Sequence, residues 1–182
     1  MQAYEAGERD FGESRVQELC AKYEALPKDI RWHFIGHLQT NKVRQIMPFV
    51  HLIQSVDSMR LLNVIEAEAA RINRTVNVLL EVHVAHEETK SGFMPEELPE
   101  ALALLPELKH VHVCGLMTMA TNTDNMTEIH RCFRMAANIA DKLPSGSREI
   151  LSMGMSDDYL TAIEDGSNMV RIGSSIFGER VY

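Results

Sequence analysis

The chain has little that would take it out of the ordinary class of soluble α/β proteins. It holds no apolar run near the about 20 residues that a membrane-spanning helix requires. Its start, Met1-Gln2-Ala3-Tyr4-Glu5, carries neither a basic region nor an apolar stretch, so no signal peptide is expected. Cysteine is scarce and odd in number: Cys20, Cys114 and Cys132 are three thiols without metal-like spacing. That pattern fits reduced thiols in a cytoplasmic protein. Bases are outnumbered by acids, 18 to 26, and the net charge of −8 argues against nucleic acid as a partner. There is no low-complexity tract, no Pro/Gly/Ser linker, no nucleophile elbow, no P-loop and no G-x-G-x-x-G.

What is present is an alternation of short apolar runs and amphipathic segments. With 45% hydrophobic and 24% charged residues over 182 positions, the chain can bury one sizeable core, so residues 1–182 are expected to be a single domain. The strand candidates are Arg9–Glu13, Arg31–Gly36, His51–Val56, Val76–Val84, His110–Ala120, Arg148–Gly154 and Met169–Gly178. Val76–Val82 and Val111–Met117 are almost continuously apolar, as strands buried on both faces of a parallel sheet are. Between them lie helix candidates at Ser14–Leu26, Thr40–Phe49, Ser58–Asn73, Pro95–Leu105, Asp124–Leu143 and Ser156–Asp165. Ile129, Phe133, Ala136, Ala140 and Leu143 make an apolar stripe at steps of three and four. Pro95 suits a first helical position, and Ser156 suits an N-cap with Asp157 and Asp158 behind it.

Repeated βα units imply parallel neighbours joined by crossover helices. Two architectures fit, a doubly wound sheet and a (β/α)8 TIM barrel. Seven strands are counted, and Met1–Ala6 followed by Gly7 reads as the last turn of a helix with its stop. The expectation is therefore an incomplete (β/α)8 barrel lacking its first strand and most of its first helix. About 30–50 further residues would bring it near the size typical of that fold. The two strand edges so exposed would invite a second copy of the chain to cover them, giving a homo-oligomer.

In such a barrel, function sits after the strand carboxyl ends, and phosphates commonly bind after the last two strands. Those loops read Ser152-Met153-Gly154-Met155-Ser156 and Arg171-Ile172-Gly173-Ser174-Ser175. Glycine lets the backbone approach an anion, and amides and hydroxyls can hold it. Equally, Gly154 and Gly173 can be turn residues and Ser156 a cap. Arg171, inside an apolar strand, needs a partner or a polar cavity. Glu149 and Asp157 are the structural alternatives to a ligand. After the second counted strand, Thr40 can cap a helix whose first turn holds Asn41 and Lys42. Glu81, His83 and His86 suggest a metal, but no fourth ligand accompanies them, so no metal site is expected. Met117, Met119, Met153 and Met155 read as core and pocket lining.

Taken together, Phe11–Glu18, Trp32–Lys42, Lys90-Ser91-Gly92, Gly115-Leu116-Met117, Leu151–Asp158 and Val170–Gly178 strongly resemble the pyridoxal phosphate homeostasis protein family. The likeness runs from about Tyr4 to Tyr182. That family is itself similar to the N-terminal barrel domain of alanine racemase and of eukaryotic-type ornithine decarboxylases. The resemblance implies a (β/α)8 barrel with pyridoxal 5′-phosphate (PLP) at the strand carboxyl ends. It implies that Ser156, Gly173 and Ser174 hold the phosphate, that Arg171 faces the cofactor and its ring nitrogen, and that Asn41 and Met153 lie near the pocket. It also implies a non-catalytic role in binding, buffering and delivering the cofactor.

The family's cofactor lysine ends the first strand, in a run like Val-Ser-Lys. Lys22, Lys28, Lys42, Lys90, Lys109 and Lys142 do not match it. Ser14 also stands where many relatives have asparagine. The expectation is weak, non-covalent binding of PLP, with phosphate or sulfate able to take the same site. The alternatives are a PLP-dependent amino-acid racemase or decarboxylase of the same fold, and a different barrel enzyme with a phosphate-bearing ligand.

Overall fold

A computed structural model of the chain describes residues 1–85 and 91–178. Seven strands form one parallel sheet in chain order: β1 (Asp10–Glu13), β2 (Arg31–Phe34), β3 (Leu52–Val56), β4 (Val76–Glu81), β5 (Val111–Met117), β6 (Ile150–Met155) and β7 (Met169–Arg171). Eight helices accompany them among the described residues: α1 (Gln2–Glu5), α2 (Val16–Ala25), α3 (Val43–Ile46), α4 (Met59–Arg71), α5 (Leu98–Ala103), α6 (Met126–Ala140), α7 (Tyr159–Glu164) and α8 (Ser174–Phe177). Because every neighbouring pair is parallel, the loops that follow the strands gather at one end of the sheet. None of the described helices is long and apolar enough to cross a membrane.

Two apolar layers line the two faces of the sheet. On β4, Val78 and Leu80 enter a large cluster with helix residues such as Leu62, Ile65, Phe133 and Ala136. Leu79, between them, turns to the other face and meets Leu52, Cys114 and Met117, with Ile150 and Met169 packed alongside. Period-two alternation thus separates a helix-facing layer from an inward-facing one. The sheet curls, because inward groups of β3 reach β6 and β7: Gln54 contacts Ser152 at 2.6 Å and Met169 at 3.3 Å. The curl stops short of closure, since β1 and β7 are the two ends of the strand order and do not pair. This is the seven-stranded, nearly closed α/β barrel that the sequence predicts.

Local chemistry explains the helix positions. Asn125 caps α6, its Oδ1 accepting from the amides of Thr127 (3.1 Å) and Glu128 (3.4 Å). Ile129, Cys132, Phe133, Ala136 and Ala140 then form its buried face. Ser58 caps α4 through the Leu61 amide at 3.3 Å.

Several boundaries differ from the sequence expectation, each for a local reason. The last strand does not run to Gly178; it ends at Arg171, and Gly173 caps α8, its carbonyl accepting from Ile176 and Phe177. Pro95 does not open α5. The Met94 amide donates to Glu97 Oε2 at 2.8 Å in a preceding turn, and Pro99 occupies the first turn instead. Ser156 does not cap α7; Asp158 holds that position. The segment expected as one helix over Thr40–Phe49 divides into a 3₁₀ turn, Thr40–Lys42, and α3.

Candidate functional site

The candidate site is assembled where β6 and β7 end. Gly154, near the end of β6, has φ of +93°, and a Cβ there would lie 2.6 Å from Ala162 Cβ and 2.9 Å from Tyr159 Cα. Only glycine lets the strand run so close to α7. Met155 then turns, its amide donating to Asp158 Oδ1 at 2.6 Å. With Asp158 in the capping position, the Ser156 hydroxyl is released to face the next loop.

There Ser156 Oγ accepts from the amides of Gly173 (3.2 Å) and Ser175 (3.4 Å). The two glycine-and-serine turns are thereby held together. The Ser174 amide, between those two donors, has no partner among the described residues. Gly173, Ser174 and Ser175 are exposed, and a Cβ on Gly173 would meet nothing within 4 Å. One free amide and three hydroxyls around open space are a donor set suited to a phosphate group.

Arg171 ends β7 and turns its side chain toward β5 and β6. Its Nη1 donates to Ser152 O (3.0 Å) and Ser152 Oγ (2.7 Å), and its Nη2 donates to the Thr118 carbonyl (2.8 Å). Neither Glu149 nor Asp157, the two structural alternatives read from sequence, pairs with it among the described residues. Burial lowers the Arg171 pKa to about 10, against the pull of Glu81 and Asp158, so it remains a cation at neutral pH. One Nη2 hydrogen and the Nε hydrogen are left without a partner among the described residues. Glu81, at the end of β4, is buried and accepts from Ser91 Oγ at 2.8 Å. Burial raises its carboxyl above the usual range.

The other sequence candidates fall elsewhere. Asn41 lies in the 3₁₀ turn after β2, at the same end of the barrel, exposed and with no hydrogen bond among the described residues. Met153 is fully buried in the helix-facing cluster, so its side chain lies on the face of β6 opposite Ser152. His86 and Lys90 are outside the described residues. An open groove of about 290 Å³ lies after β2 and β3, lined by His37, Gln39, Thr40, Asp57, Ser58 and Arg60, and it does not include the Arg171 and Ser156 group.

Sequence reasoning missed Ser152, Gln54 and Thr118. The signal for the first two was a polar side chain directly after two apolar strand residues, in Leu52-Ile53-Gln54 and Ile150-Leu151-Ser152.

This barrel, with its paired turns after the last strands, defines a class, and comparison with known proteins gives the same one. The family described as "Alanine racemase, N-terminal domain" matches residues 1–181, and the chain belongs to it. Within that class it belongs to the pyridoxal phosphate homeostasis proteins. The protein of that name from Aquifex aeolicus is 45% identical over 98% of this chain and 80% of its own. PipY of Synechococcus elongatus, solved without PLP, is 35% identical with a TM-score of 0.91, over 97% of this chain and 85% of that one. The same protein solved with PLP bound gives a TM-score of 0.87. Alanine racemase of Streptomyces coelicolor shares the fold alone: 20% identity and a TM-score of 0.76, over 98% of this chain and 49% of that one.

Proposed function

We propose that this chain is a PLP-binding protein of cofactor homeostasis, acting in the cytoplasm by holding and releasing the cofactor rather than by turning over a substrate. The observation that carries this reading is Ser156 Oγ holding the Gly173 and Ser175 amides, which brings the turns after β6 and β7 together around the free Ser174 amide. In this reading Ser156, Gly173 and Ser174 hold the phosphate, and Arg171 offers its remaining N–H donors to the pyridine nitrogen. Asn41 stands at the mouth, and the Met153 backbone helps to shape the loop. Bound there, the cofactor supplies an aldehyde and an electron-withdrawing ring for delivery to other proteins.

Two further points belong to the proposal. Binding by these 182 residues is non-covalent, since none of Lys22, Lys28, Lys42, Lys90, Lys109 and Lys142 stands in a run like the Val-Ser-Lys that carries the family's cofactor lysine. Residues 1–182 act as one domain, and the unpaired edges of β1 and β7 are covered by a second copy of the chain.

The support is the family membership and the PLP-bound relative, together with the donor set itself. The test is titration of the purified chain with PLP and, separately, inorganic phosphate. Competition between them is expected, with no racemisation of alanine or serine in the presence of added PLP. Binding of neither would refute the reading.

A further inference from the structure

A line of hydrogen bonds crosses the barrel interior behind Arg171. Arginine has donors only, so Ser152 Oγ, 2.7 Å from Nη1, accepts from it. The Ser152 proton then points to Gln54 Oε1 at 2.6 Å. Gln54 Nε2 lies 2.9 Å from His33 Nδ1 and 3.3 Å from Met169 Sδ. A thioether only accepts, so this end of the amide is the nitrogen, and His33 Nδ1 must accept its other hydrogen. The imidazole is then protonated on Nε2, which lies 3.3 Å from Asp10 Oδ1 as a charge contact but makes no hydrogen bond among the described residues.

The reverse amide orientation fails on this count. Ser152 Oγ would receive two donors and have nowhere to place its own proton, and a bare His33 nitrogen would face a carboxylate. The donors therefore run one way, from the Arg171 cation through Ser152 on β6 and Gln54 on β3 to His33 on β2, whose Nε2 faces the Asp10 anion on β1 without a hydrogen bond. His33, Gln54 and Ser152 are all buried, where an unmatched polar group is expensive.

We infer that Gln54 and Ser152, backed by His33, are positioning residues that hold the Arg171 fork so that its two unpartnered N–H groups face the ring of a bound ligand. They thereby set preference for ring-bearing phosphates over phosphate alone. The inference rests on the proposed function only for the identity of that ring. The relay acts on Arg171 and not on the Ser156 turns, so its loss separates the two halves of the ligand. Burial holds the His33 imidazole at about 4, consistent with a neutral ring in the relay.

The experiment has two arms. In the first, PLP and inorganic phosphate are titrated against the wild-type chain and its Gln54→Leu, Ser152→Ala and Ser152→Thr variants. Gln54→Leu and Ser152→Ala are expected to weaken PLP about tenfold, the scale of one hydrogen bond to a charged group, and phosphate less than twofold. Ser152→Thr, which keeps the hydroxyl, is expected to restore PLP affinity. Equal loss of both ligands, or no loss of either, overturns the inference. Wild-type chain that binds neither ligand overturns the proposed function instead.

The second arm needs no ligand and so tests the relay even then. Gln54→Glu replaces the donor to His33 by an acceptor. NMR titration of the imidazole is expected to move His33 up from about 4. An unmoved His33 overturns the relay.

Discussion

Arg171 Nη1 lies 2.7 Å from Ser152 Oγ, and the guanidinium rests on neutral oxygens rather than on a carboxylate. The fork is thus part of the wall that joins β5, β6 and β7. Arg171→Ala is expected to cost about 2–4 kcal/mol, because the Thr118 and Ser152 acceptors lose their donor in a largely dry interior. Arg171→Lys should recover less than half of that, since an ammonium cannot reproduce the planar fork. Urea unfolding followed by circular dichroism measures both.

Ser156 differs from Arg171 in being near the surface. Ser156→Ala removes the acceptor that draws the Gly173 and Ser175 amides together. Stability should change by less than about 1 kcal/mol, as for other exposed hydrogen bonds. Binding of PLP and of phosphate should both fall about tenfold, read by ligand-dependent thermal shift.

Gly154→Ala should act on both properties. The new methyl meets Ala162 Cβ at 2.6 Å, and the φ of +93° is unfavourable for alanine. A loss of about 1–3 kcal/mol is expected, with weaker phosphate binding as the loop to Ser156 shifts. Chemical denaturation and phosphate titration on one sample separate the two effects.

The buried His33 makes the fold acid-sensitive. Its folded-state pKa is about 4 against 6.5 in the unfolded chain, lowered first by burial and opposed by Asp10. The unfolded state therefore takes up the proton first. The stability is fully present above pH 6.5 and is lost as pH falls toward 4, by about 3 kcal/mol in all. His51, whose ring stacks on His33 at 5.7 Å, is also lowered by burial and acts in the same direction. Unfolding free energies at pH 7, 5.5 and 4 test this. His33→Asn should flatten the profile.

Strands such as β4 and β5 were legible because apolar runs like Val76–Val82 need no knowledge of their partners. The α6 stripe was legible for the same reason. Element ends were less so. Pro95 and Ser156 were both good local signals for helix starts, and each was overridden by a carboxylate, Glu97 taking the Met94 amide and Asp158 the Met155 amide. Gly173, Ser174, Ser156 and Arg171 stood out in sequence by composition and family likeness. The groups that hold Arg171 did not, because Ser152, Thr118 and Gln54 come from three distant segments that only the curl of the sheet brings together.

The central claim is that these turns hold a phosphate-bearing pyridoxal ligand without a covalent link. Equilibrium titration of the wild-type chain with PLP, followed by borohydride treatment and mass spectrometry of the intact protein, tests it most directly. The account expects saturable binding that inorganic phosphate displaces and a mass unchanged by reduction. Absence of saturable binding, or a protein mass increased by one reduced cofactor at a single lysine, would contradict it.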